Sequence, residues 1–200
     1  TDGSDSYFSA KKMHDCTIPD GEKQHTLVKG EPDKEYILAI DPSFSNSPSS
    51  DYFAMSVLEL DEEKSNESTL VHAYAVAGGD LKDHIKYLHY LVTSFNIILL
   101  IIDNAGYQFI DGANESELFR DSRINLKFFD FNSDKKGNDY QQMLLKAKSQ
   151  YNVKENMICF KQLFSSTFLR EANEYLQASI DHKRIWFASR TAACGSFFDK

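Results

Sequence analysis

Two apolar runs, each closed by an aspartate, constrain this chain more than any other feature. Tyr36-Ile37-Leu38-Ala39-Ile40 ends at Asp41, and Ile97-Ile98-Leu99-Leu100-Ile101-Ile102 ends at Asp103. Short, continuous runs rich in β-branched residues read as central strands of a sheet covered on both faces. If the two strands are neighbours, both carboxylates arrive at one sheet edge, where they repel each other unless a cation lies between them. An all-oxygen donor set suits Mg²⁺ or Mn²⁺, and the natural partner of such an ion is a phosphate. Metal-dependent phosphodiester chemistry is the expectation.

The surrounding pattern supplies a topology. After a polar lead-in with one short strand expected at Thr26 to Val28, strands are predicted at 35–41, 53–60 and 70–77. A helix follows from Asp80 to Ser94, with apolar residues at Leu81, Ile85, Leu88, Leu91 and Val92 and Asp80 as its N-cap. The strand 97–103 comes next, then a helix including 115–120, a strand at 126–131, helices at 139–152 and 165–179, and a last strand at 185–188. Three antiparallel strands, a crossover helix and a parallel strand form the β-β-β-α-β order of the ribonuclease H architecture: an α/β fold with a central mixed sheet flanked by helices. In it the first and fourth strands lie side by side, which would bring Asp41 and Asp103 together.

Each aspartate also has a plainer reading. Asp41-Pro42 and Asp103-Asn104 before Ala105-Gly106 are ordinary turn sequences. The two acids in the right topological order favour a metal site. A Walker B reading of the 97–103 strand fails because no G-x-x-x-x-G-K-[ST] loop precedes it. Asp51, at the start of the second strand, either supports a metal through water or caps the turn. Ser43, Ser45 and Ser47 lack a nucleophile elbow. His72, His84, His89 and His182 show no metal-ligand spacing and read as surface or partly buried residues.

Length and composition set the remaining bounds. Two hundred residues fit one domain, and 42% hydrophobic residues with 13% aromatics suit a packed core. The net charge of −8 argues against a general polyanion-binding surface. Between residues 122 and 163, however, eight basic residues outnumber four acidic ones. Lys135, Lys136, Lys146 and Lys148 are the candidate DNA contacts there. Cys16, Cys159 and Cys194 form no CxxC pair, so no zinc site or disulfide framework is expected, and a reducing compartment is. No signal peptide or membrane-spanning run stands out, and the abrupt ends read as those of a piece of a longer protein.

Tyr36-Ile-Leu-Ala-Ile-Asp41-Pro-Ser, then Asp51-Tyr52-Phe-Ala, then Ile98-Leu-Leu-Ile-Ile-Asp103-Asn-Ala-Gly106 resemble the C-terminal nuclease domain of tailed-bacteriophage large terminase subunits, an architecture shared with herpesvirus terminases. The resemblance covers about residues 30 to 190. It implies that residues 1–34 lead in from a packaging ATPase domain of the same polypeptide and that 35–200 form the nuclease domain, truncated at its C-terminus. It implies an endonuclease cutting concatemeric double-stranded DNA with two divalent ions, Mg²⁺ or Mn²⁺. Asp41 and Asp103 would be the catalytic carboxylates and metal ligands, with Asp51 auxiliary. The family's third carboxylate follows the strand matching Ile185 to Phe187. Asp199 is the one acid after that strand, and Asp181 precedes it in an expected turn. The implied partners are the portal protein and the small terminase subunit, in the cytoplasm of an infected bacterium, neither secreted nor in a membrane. Two alternatives are a resolvase-type nuclease on branched DNA and a non-catalytic DNA-binding module of the packaging motor.

Overall fold

The computed structural model describes residues 9–18, 26–43, 51–60, 67–103, 106–130, 156–162 and 165–188. The helix expected at 139–152, the four candidate lysines, Ser45, Ser47 and Asp199 lie outside them. One seven-stranded sheet organises the chain. Its strands are β1 (Tyr36–Asp41), β2 (Tyr52–Leu60), β3 (Ser68–Ala77), β4 (Ile97–Asp103), β5 (Asn125–Asp130), β6 (Asn156–Gln162) and β7 (Ile185–Phe187), in the order β5-β6-β4-β1-β2-β3-β7. The helices are α1 (Ala10–Asp15), α2 (Leu81–Ser94), α3 (Tyr107–Glu115), α4 (Glu117–Asp121) and α5 (Ser166–Asp181). Among the described residues, no helix is long and apolar enough to cross a membrane.

The chain divides into two compact units. One comprises Lys29–Val57 and Ala73–Phe164. Here β1 lies parallel to β4, β4 parallel to β6, and β6 parallel to β5. The first and fourth strands are therefore neighbours, as the topology predicts. Continuous apolar runs suit such strands because helices cover the sheet and leave no polar alternation to satisfy. α2 starts where expected: the Asp80 side chain accepts from the Lys82 backbone N–H at 2.9 Å, satisfying an otherwise orphan donor. His84, Ile85, Leu88, Leu91 and Val92 form its buried stripe. Just beyond its end, the Phe95 ring meets the ring of Tyr36 edge-on at 5.2 Å. Tyr36, Leu38 and Ile40 are buried, and strand alternation puts them together on the α2 side of the sheet. α3 contributes buried Phe109, Ile110 and Ala113. Its Asn114 side chain accepts from the Leu126 N–H at 2.8 Å and donates to the Leu126 carbonyl at 3.0 Å, pinning the start of β5.

The other unit comprises Thr1–Val28, Leu58–His72 and Ser165–Lys200. β7 pairs parallel with the start of β3, Ser68 opposite Ile185. Cys16, Ile180 and Ile185 form a small core with Leu58, Leu176 and Phe187. The Cys16 thiol donates to the Ile180 carbonyl at 3.3 Å, and burial pushes its proton affinity up. α5 is capped by Ser165. Residues 26–28 form no strand, although the Leu27 N–H donates to the Val71 carbonyl at 2.8 Å.

Two elements depart from expectation. α1 falls within the lead-in read as linker. Its sequence, Ala-Lys-Lys-Met-His-Asp, is short and polar, and the ion pair of Lys12 with Asp181 at 2.7 Å ties it to α5. β6 was not anticipated, and it is the strand that pairs with the far side of β4. Ile185–Phe187 pairs with β3.

Candidate metal centre

Register decides whether two strand-end acids meet. Along the β1–β4 ladder Tyr36 pairs with Ile97, but Ile37 pairs with Leu99, so the pairing skips Ile98. From there it is regular to Ile40 opposite Ile102, and Asp41 and Asp103 are the next residue on each strand. Without the irregularity at Ile98, Asp41 would stand opposite Ile102, and the two carboxylates would leave opposite faces of the sheet. With it, both follow Ile40 and Ile102, which are buried, and both turn to the other face. Asp41 is exposed and Asp103 half-buried.

The electrostatics agree with this geometry. The Asp41 carboxyl holds its proton more tightly than an ordinary aspartate, first because it is partly desolvated, then because of the negative charges of Asp103 and Asp51. Asp51, just ahead of β2, is therefore close enough to act on Asp41. Pro42 and Gly106 pack the two acid-bearing turns together. A Cβ built on Gly106 would lie 2.6 Å from Ile102 Cγ1 and 3.0 Å from Pro42 Cγ, so a side chain there would press on both residues.

Carboxylates converging at a strand edge are a donor set that fits a hard divalent cation, whose other positions water and phosphate oxygens can fill. Asp41 and Asp103 would hold it, with Asp51 beside them. Among the described residues, no group of three or more His, Cys, Asp or Glu side chains is gathered to hold a metal ion. Asp181 stands at the end of α5 in its ion pair with Lys12.

The histidines have other work. His72 Nδ1 is 2.7 Å from the Leu27 carbonyl oxygen. His89 shares a 2.6 Å hydrogen bond with the Ser122 hydroxyl, and His182 closes α5. His84 is buried, stacked on Phe53 with ring centroids 4.1 Å apart and hydrogen-bonded to the Tyr74 hydroxyl at 2.7 Å.

Sequence reasoning missed the close approach of Gly106 to Ile102 and Pro42, because Asn104-Ala105-Gly106 signals only a turn.

No protein-family model matches the chain, and no curated protein matches it in sequence. Solved structures match it in fold. The large terminase nuclease from thermophilic phage G20c is 14% identical, with 93% of this chain and 76% of that one covered and a TM-score of 0.51. The HK97 bacteriophage large terminase is 8% identical, with 92% of this chain covered and a TM-score of 0.56. This chain spans 34% of the HK97 protein's length. The chain thus has the ribonuclease H-like fold of the large terminase nuclease from phage G20c.

Proposed function

We propose that this chain is the nuclease domain of a viral DNA-packaging terminase, an endonuclease that cuts concatemeric double-stranded DNA with divalent metal ions. The observation that carries the reading is the level placement of Asp41 and Asp103 on adjacent parallel strands, with the charge of one raising the proton affinity of the other. The likeness in fold to phage terminases supports the biological setting.

Asp41 and Asp103 would hold two ions, Mg²⁺ or Mn²⁺, with Asp51 auxiliary. Bound there, the ions would supply a water activated for in-line attack on phosphorus and charge neutralisation at the leaving 3′ oxygen. The chain's own part is to hold two ionised carboxylates in a fixed register, so that little reorganisation is needed when the phosphate arrives. Contacts to the sugar–phosphate backbone carry no sequence information, so cutting has little sequence preference. Lys135, Lys136, Lys146 and Lys148 are the proposed backbone contacts, and Asp199 the proposed further ligand. Residues 1–34 would join the domain to a packaging ATPase domain. The portal protein and small terminase subunit would be its partners in the host cytoplasm.

The test is supercoiled plasmid with Mn²⁺, with and without EDTA, beside Asp41→Asn and Asp103→Asn. Nicking that disappears with EDTA and in both variants supports the reading, and cutting retained by either folded variant overturns it. A second reading is a DNA-binding module without activity. It predicts duplex binding without nicking.

A further inference from the structure

Tyr52 is 61% exposed, among the most exposed large hydrophobic side chains described. Its position follows from its neighbours. Phe53, the next residue on β2, is fully buried, stacks on His84 of α2 and meets Phe109 of α3 edge-on at 5.0 Å. Phe53 therefore faces the helix side of the sheet, the side on which Tyr36 meets Phe95. Strand alternation sends Tyr52 to the opposite face, the one to which Asp41 and Asp103 turn.

Tyr52 also shares their edge. β2 follows β1 as its sheet neighbour through residues 42–51, too few for a parallel crossover, so β2 begins where β1 ends. An exposed aromatic ring thus stands on the same face and edge as the two carboxylates.

We propose that Tyr52 is a DNA-contacting residue of this site, its ring packing against the sugar–phosphate strand beside the phosphate that Asp41 and Asp103 address. The inference rests on the nuclease reading. Its physical basis is complementarity. The two carboxylates repel a phosphodiester strand, and the chain's net charge of −8 gives no general attraction. A neutral ring adds contact area beside the acids without adding repulsion, and a deoxyribose offers it an apolar face. Strand propensity also favours tyrosine at such a position, so the substitution that tests the role has to keep the strand.

Tyr52→Thr keeps a β-branched strand former and removes the ring, Tyr52→Phe keeps the ring, and Tyr175→Ala removes a ring of similar exposure on α5, where Tyr175 is 66% exposed. Each protein is measured twice: duplex binding by fluorescence anisotropy in Ca²⁺, and plasmid nicking in Mn²⁺. Burying most of one ring predicts that Tyr52→Thr weakens duplex binding about tenfold and raises KM to match, with kcat nearly unchanged. Tyr52→Phe and Tyr175→Ala bind and cut like wild type. Wild-type binding by Tyr52→Thr, or a loss confined to kcat, overturns the contact while leaving the nuclease standing. If the wild type binds duplex without cutting, the nuclease reading fails, and the anisotropy of Tyr52→Thr still decides the contact. A wild type that neither binds nor cuts overturns both.

Discussion

Asp41 stands level with Asp103 because β4 carries one residue, Ile98, that the β1 ladder skips. From Tyr36 to Asp41 the chain takes one step fewer than from Ile97 to Asp103, and the skipped residue absorbs the difference. A one-residue change of register in a parallel pair exchanges the faces of every side chain beyond it. The irregularity therefore sets the relation of the two carboxylates more directly than any contact between them.

Neutralising either acid separates activity from stability. The wild type should nick DNA and melt higher in Mn²⁺, and Asp41→Asn and Asp103→Asn should abolish both effects. Both variants should melt slightly above the metal-free wild type, because each removes one side of a like-charge repulsion. Differential scanning fluorimetry in EDTA and in Mn²⁺ reads both effects. Metal-free variants that melt below the wild type would contradict the repulsion.

The same repulsion fixes a pH dependence. In the folded chain Asp41 titrates above the 3.8 of a free aspartate, so between the two values the folded state binds the proton more tightly than the unfolded one. The Asp41 contribution to metal-free stability is then lost as pH rises through that window. The advantage of Asp41→Asn over wild type in EDTA should be smallest below pH 3.8 and grow above it. Melting curves at stepped pH measure it, and an advantage that shrinks with rising pH would reverse the sign.

Gly106→Ala tests the packing of the two acid-bearing turns. The added methyl would press on Ile102 and Pro42, the residues just before Asp103 and just after Asp41. Overpacking of this kind costs about 1–3 kcal/mol, which urea unfolding measures. Nicking should fall further than stability does, because the methyl displaces the carboxylates themselves. A destabilised variant with wild-type specific activity would show that the turns relax without moving the acids.

Tyr74→Phe probes the buried polar pair beneath the sheet. Burial raises the Tyr74 hydroxyl to about 12 and lowers His84, so the pair is neutral at physiological pH. Removing the hydroxyl leaves the His84 ring nitrogen without its 2.7 Å partner, at a cost of about 1–3 kcal/mol. Because the lowered His84 titrates below its unfolded value of 6.5, its contribution to stability is full above pH 6.5 and declines as pH falls through its folded value. Urea melts of Tyr74→Phe and wild type at neutral and mildly acidic pH check both the cost and the direction.

Elements whose signal is local were legible from the residues. α2 announced itself through Asp80 and the apolar spacing to Val92, and β1 and β4 through their unbroken apolar runs. α1 and β6 were not, for a common reason. Ala-Lys-Lys-Met-His-Asp has no apolar face of its own and is tied in through Lys12 and Asp181. Asn-Met-Ile-Cys-Phe-Lys-Gln neither alternates cleanly nor forms a long apolar run, and it becomes a strand by pairing with β4 on one side and β5 on the other.

The amino-acid sequence by itself determined the two apolar runs that end in aspartates and the β-β-β-α-β order of the elements, because hydrophobic runs and chain order are local properties. Tertiary structure alone decided that the acids share a face, that Gly106 lies against Ile102 and Pro42, and that the face Tyr52 takes on β2 is the one the acids take. Those facts depend on register, and register is set between strands, where a single skipped residue reverses which face a side chain takes.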